Sequence, residues 1–131
     1  MNQRTKRALG ESEKMRDVLV DALDDAKGID IKVLDVRKLT DITDFMVVAT
    51  GSSDRHVKTL SDRVLDFMQK NSWQPLGIEG EDSKNWILVD FVDVVIHIMR
   101  DSTRKHYDLE SLWDETFAEI KPVPEGLAEN L

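Results

Sequence analysis

The stretch Trp86-Ile87-Leu88-Val89-Asp90-Phe91-Val92-Asp93-Val94-Val95-Ile96-His97-Ile98-Met99 decides the architecture. Side chains alternate between the two faces of a strand, and on that rule two strands read out of this text, 86–91 and 93–99. Ile87, Val89, Phe91, Val94, Ile96 and Ile98 form one wholly apolar face, which predicts that helices lie over it. Trp86, Leu88, Asp90, Asp93, Val95, His97 and Met99 form the other, where large apolar groups mix with carboxylates and an imidazole. A plain solvent face has no need of Trp, Leu, Val and Met together. The strip is therefore expected to dock a partner or to lie under a helix or C-terminal segment, and pattern alone leaves both open.

Working outward, Met15, Val18, Leu19, Ala22, Leu23 and Ala26 repeat at the spacing of one helical face, predicting a helix over 12–27 with Ser12 as cap and Gly28 as stop. Two β-branched segments follow, 31–36 and 44–50, bounded by polar turn residues. Val57, Leu60, Val64, Phe67 and Met68 then predict a second helix over 54–71. A short strand is expected within 75–80, a polar turn over 81–85, and a last helical piece from Asp101, anchored by Tyr107, Leu109, Leu112 and Trp113 with the two aromatics in the core. Residues 1–10 and the acidic segment 118–131, with Pro122, Pro124 and Gly126, are expected to be flexible tails on a domain spanning 11–117. The order α-β-β-α-β-β-β-α is that of an α/β (α+β) single domain, a mixed sheet of roughly five strands with packed helices.

Composition narrows the function. The chain has 131 residues and a formal net charge of −8, enough for one self-sufficient core and too little for a second domain. It has no cysteine, so disulfides, thiolate metal sites and cysteine nucleophiles are excluded and the cytoplasm is the default compartment. Gly10-Glu11-Ser12-Glu13-Lys14 stands where a signal peptide needs an apolar core, and the longest apolar run, Phe45 to Ala49, falls far short of the ~20 residues of a membrane span. Negative charge disfavours direct, sequence-specific nucleic-acid binding and favours a basic protein as partner. Glu79, Glu81, Asp82, Asp90 and Asp93 against Lys84 alone make the border of the strip acidic and able to steer such a partner.

Catalytic and metal chemistry find little support. The three histidines lack HxxxH or HxH spacing, and no metal site or cofactor is expected. Ser52 and Ser53 follow a strand, but no G-x-S-x-G elbow is present, so Thr50-Gly51-Ser52-Ser53-Asp54 is expected to turn the chain and cap the second helix. The same turn, with free amides at a helix start, suits a phosphate, which keeps a degenerate nucleotidyltransferase-like nucleotide-binding protein as an alternative. No D-x-D pair occurs to hold magnesium for such chemistry.

The segments Leu34-Asp35-Val36-Arg37, Ile42-Thr43-Asp44-Phe45, Ala49 to Val57, Gly77-Ile78-Glu79-Gly80, Trp86 to Asp90, Asp93 to Met99 and Tyr107 to Trp113 together resemble the ribosomal silencing factor family, also called the Iojap family, over residues 14 to 114. The resemblance implies a nucleotidyltransferase-like topology without the active site, and a factor that is no enzyme. It implies binding to the large ribosomal subunit through ribosomal protein L-fourteen and steric exclusion of the small subunit, silencing translation when nutrients are scarce. It also implies a homodimer as a further partner. The family loop corresponds to Thr50, Gly51, Ser52, Arg55 and His56, with a structural or ribosome-facing role, and the closing motif to Arg104, Tyr107, Leu109, Glu110, Leu112 and Trp113. On this reading Trp86, Leu88, Val95 and Met99 supply desolvated contact area alongside His97. Asp90, Asp93 and Glu81 or Asp82 pair with basic side chains. One departure stands out: Phe91-Val92 replaces the family's Tyr or Leu followed by Gly. Valine resists positive φ, so the strand link is expected to differ locally.

Overall fold

The structure is a computed structural model that describes residues 10–112, so Trp113 and the expected C-terminal tail lie outside the described residues, as does the N-terminal tail apart from Gly10. The chain runs α1 (Glu11–Asp25), β1 (Ile29–Asp35), β2 (Phe45–Gly51), α2 (Asp54–Lys70), β3 (Gly77–Glu79), β4 (Trp86–Asp90), β5 (Val94–Arg100), α3 (Asp101–Tyr107) and α4 (Leu109–Leu112). The five strands form one sheet in the order β1-β2-β5-β4-β3, mixed as expected: β2 and β5 are parallel and the other neighbours antiparallel.

The apolar strip behaves as alternation dictates. Ile87, Val89, Phe91, Val94, Ile96 and Ile98 join Val47 and Ala49 under α1 and α2, whose Met15, Leu19, Leu23, Val57, Leu60, Val64 and Met68 complete the main core. Ser53 caps α2 by accepting from the His56 N–H at 3.0 Å. Both helices end in the same double hydrogen bond. At α1 the Gly28 N–H donates to Leu23 C=O and the Lys27 N–H to Asp24 C=O. At α2 the Trp73 N–H donates to Met68 C=O and the Ser72 N–H to Gln69 C=O.

This corrects two expectations. The left-handed residue that stops α1 is Lys27, with φ 62°, and Gly28 follows it. At the other end Ser12 lies inside α1, its hydroxyl directed to Glu13, and the N-cap is Gly10 in a left-handed conformation. The last helical piece is broken in two at Asp108, φ 46°, which redirects the chain so that Leu109 is buried against the sheet.

The second face of the sheet is closed as well. Val36, Met46, Val48, Met99 and Leu109 form a smaller core against which Leu34, Leu39 and Trp86 pack.

Candidate functional site

The segment that follows β1 and the helix α4 both fold onto the face expected to be a docking strip. Leu88, Val95, His97, Met99 and Asp93 are buried, Met99 beneath this cover, and the expectation that they form exposed contact area is corrected. Covering them removes large apolar surfaces from water, at about 25 cal/mol per Å², which an uncovered face forgoes. Trp86 and Asp90 stay half-buried at the edge of this cover, with Leu88 between them. Tyr107, expected in the core, is 51% exposed and lies over the Trp86 ring with centroids 4.7 Å apart, while His106 meets Tyr107 edge-on.

β4 and β5 place these groups. Trp86 is paired with Met99, Leu88 with His97 and Asp90 with Val95, so they share the non-helical face. Across the other ladder Glu79 is opposite Leu88, and Gly77 is opposite Asp90, which brings the Glu79 carboxylate to the same face. Between the 80–85 turn and β4 lies a cavity of about 300 Å³, lined by Glu79, Gly80, Ser83, Asn85, Trp86, Leu88 and His97. Gly80 adopts φ 89°, and a Cβ there would sit 2.0 Å from the Trp86 carbonyl oxygen, so only glycine lets the turn press against the strand. Ser83 and Asn85 were not singled out in the sequence, since a polar turn carries no sign of what it faces.

The electrostatics of the patch are uneven. The Asp90 carboxyl is pushed above its ordinary value, mainly by burial and further by the charge of Glu79, while the Val92 N–H donated at 2.7 Å works against that shift. Among the described residues no lysine or arginine pairs with Asp90. Burial pushes the His97 imidazole down from 6.5 to about 4, so it is neutral at physiological pH. Its Nδ1 accepts from the Trp86 indole N–H at 2.9 Å. Glu81 lies 3.8 Å from Lys58 of α2, so its charge is shared with the helical layer, and Asp82 is exposed in the turn.

The link between β4 and β5 is a tight turn at Val92. Its φ is 74°, and the Asp93 N–H donates to Phe91 C=O at 2.9 Å, as in the rare, strained three-residue γ-turn. The valine thus takes the positive φ that it resists. The cost is borne by its surroundings: the Phe91 N–H donates to Val94 C=O, and Asp93 C=O accepts from both Asp44 and Phe45, which holds the turn in place.

The family loop has an internal role. His56 Nδ1 accepts from the Ser52 N–H at 2.8 Å, which leaves the proton on Nε2 to donate to Ala26 C=O at 2.9 Å, stitching the turn to the end of α1. The Ser52 amide, a donor that a phosphate would use, is thereby engaged. A Cβ on Gly51 would approach Val57 Cγ2 at 2.6 Å and Val57 N at 2.8 Å, so the glycine serves the close packing of α2 on β2. Thr50 is buried and accepts from Arg104 Nη1 at 2.9 Å, whereas Arg55 is exposed. Arg104, itself buried, also donates to Asp30 C=O and pairs with Glu110 at 2.8 Å.

Comparison with known proteins agrees with this architecture. A family described as "Ribosomal silencing factor during starvation" matches residues 10–130. Ribosomal silencing factor RsfS of Chromobacterium violaceum is 42% identical over 103 residues, covering 79% of this chain and 84% of that protein. The protein of the same name from Haemophilus influenzae is 39% identical over 95 residues, covering 72% and 93%. A crystal structure of a Chromobacterium violaceum protein superposes with a TM-score of 0.76 at 42% identity, covering 77% of this chain and 84% of that one. With its five-stranded mixed sheet and a match over residues 10–130, the chain belongs to the ribosomal silencing factor family.

Proposed function

We propose that the chain binds the large ribosomal subunit through ribosomal protein L-fourteen and represses translation under nutrient limitation by standing where the small subunit must approach. The contact is made by Trp86 and Asp90, on either side of the buried Leu88, with Glu79 and Asp82 at the rim. The observation that carries this reading is the half-buried Asp90 carboxylate: it is desolvated, lies within the field of Glu79, and has no cation paired with it among the described residues. A lysine or arginine brought by a basic protein supplies the missing counter-charge. Subunit joining needs two apposed faces, so a small domain seated on one of them acts by exclusion, without a catalytic step. Asp93, Val95, His97 and Met99 support the contact from beneath, holding β5 and the Trp86 ring in position.

Asp90→Lys and Trp86→Ala test this. Both are expected to fold and to weaken co-sedimentation with isolated large subunits, Trp86→Ala by about 2 kcal/mol as for an interface aromatic. Both should also lose the block on subunit joining, an effect that in the parent is strongest when the factor is added before the small subunit. Parent-like binding by both variants at several salt concentrations rules out this face.

A further inference from the structure

β1 is one edge of the sheet, paired with β2 on one side and with no strand on the other among the described residues. Its first half is blunted: the register shifts between Ile29 and Lys32, and Asp30 sits at φ 49°. The remainder, Lys32 to Asp35, is a regular free edge, and an edge of this kind is a template for an extended chain. Beside it α1 and β1 enclose an open groove of about 490 Å³, lined by Arg16, Asp17, Val20, Asp21 and Val33. Val33 is 40% exposed although Val47, opposite it in the ladder, is fully buried, so the groove has an apolar floor open to solvent. The rim is acidic. Arg16 lies over the Phe45 ring and pairs with Asp17, whereas the exposed Asp21 pairs with no cation among the described residues.

Charge selects the occupant. A second copy laid along this edge brings like charge against like, since residues 11–35 hold eight carboxylates against four cations. The nine residues before Gly10 have the opposite character, with Arg4, Lys6 and Arg7 and no carboxylate. They join α1 at Gly10, whose left-handed conformation, φ 83°, takes the incoming chain out of line with the helix. Nine extended residues span about 30 Å, and Asp21 stands about 17 Å along the helix from Gly10, so the groove is within reach. The covalent tether also sets an effective concentration on the order of millimolar, an advantage that a separate chain lacks. We propose that residues 1–9 fold back along α1 and occupy this groove, the aliphatic stems of Arg4, Lys6 and Arg7 resting on Val20 and Val33 and their charged heads meeting Asp17 and Asp21. The segment then closes the free edge of β1 against other chains. This site is separate from the docking face, since β2 and β5 stand between β1 and β4.

The chain has no cysteine, so in the full-length protein Gln3→Cys carries a single spin label. At about 50 mM salt the label is expected to quench the methyl resonances of Val20 and Val33 more strongly than the Trp86 indole N–H, and at about 500 mM salt those methyl signals return. Asp17→Lys with Asp21→Lys, both at exposed positions, should restore the signals at low salt and speed exchange of the free-edge amides within Lys32–Asp35 by about tenfold. Reversing the segment as well, with Arg4→Glu, Lys6→Glu and Arg7→Glu, is expected to bring back the quenching and to return exchange to within about threefold of the parent. Val20 and Val33 signals untouched by the label overturn the proposal, and quenching that survives the aspartate reversals overturns the charge pairing on which it rests. Stronger quenching of the Trp86 indole places the segment on the docking face and overturns the groove. Quenching of an isotope-labelled chain by a separate spin-labelled chain makes a second copy the source of the segment and overturns the fold-back.

Discussion

Val92 and His97 show how single residues trade stability for position. A β-branched side chain at φ 74° stores strain of order 1–3 kcal/mol. Val92→Gly relieves it and gives back part through the greater freedom of the unfolded chain, so a net stabilisation of about 1 kcal/mol is expected in urea denaturation, and a destabilised variant would contradict the strain. His97 contributes a pH dependence. Its pKa falls from 6.5 to about 4 on folding, so between those values the unfolded chain binds more protons than the folded one, and stability rises with pH through that window. The full contribution, about 3 kcal/mol for a shift of this size, is present above pH 6.5 and is lost as pH falls toward 4. Asp90, raised on folding, acts in the opposite sense near its own titration and offsets the lower end. His97→Phe should flatten the stability profile between pH 4 and 6.5, and a profile that keeps the parent's slope would assign the effect to other groups.

At the scale of elements, one side chain links α3 and α4 to the sheet by polar contacts, beside the apolar packing of Leu109 and Tyr107. Arg104 reaches Asp30 C=O at 2.7 Å, Thr50 Oγ1 at 2.9 Å and Glu110 at 2.8 Å, tying both helices to the start of β1 and the end of β2. Removing a buried charge from such a network leaves its partners unpaired, so Arg104→Leu is expected to cost about 3 kcal/mol. The loss should be local first, with the amides of residues 101–107 exchanging faster while those of α2 keep their protection. Arg104→Lys should recover only part, because an ammonium cannot span three acceptors as the planar guanidinium does. Uniform acceleration across α2 and α3 would mean that the network supports the whole fold. The family loop works at the same scale: His56 bridges the α2 turn to Ala26, so the motif expected to be either structural or ribosome-facing has a structural task in its histidine and its glycine.

Across the whole molecule, a net charge of −8 and the carboxylates of Glu79, Asp82 and Asp90 around the candidate patch would steer the basic partner proposed above by long-range attraction. Raising monovalent salt from about 50 to about 500 mM should therefore slow association with the large subunit by about tenfold and change dissociation little, as stopped-flow mixing would show. A dissociation rate that carries the salt effect would place the charges inside the contact. Much of this molecule was legible in its sequence. The element order, the capping of α2 by the Thr50–Asp54 turn, the helix-facing strip from Ile87 to Ile98 and the acidic border follow from alternation, helical spacing and composition, which are local properties. Local rules assign each side chain to a face and are silent about what else covers that face. That Val36, Leu39 and Leu109 close over Val48 and Met99, that Tyr107 stays outside on Trp86, and that Trp86 pairs with His97 depend on contacts between segments far apart in the chain. The tertiary structure alone decided these, because burying two apolar surfaces against each other rewards whichever distant segments the topology brings together.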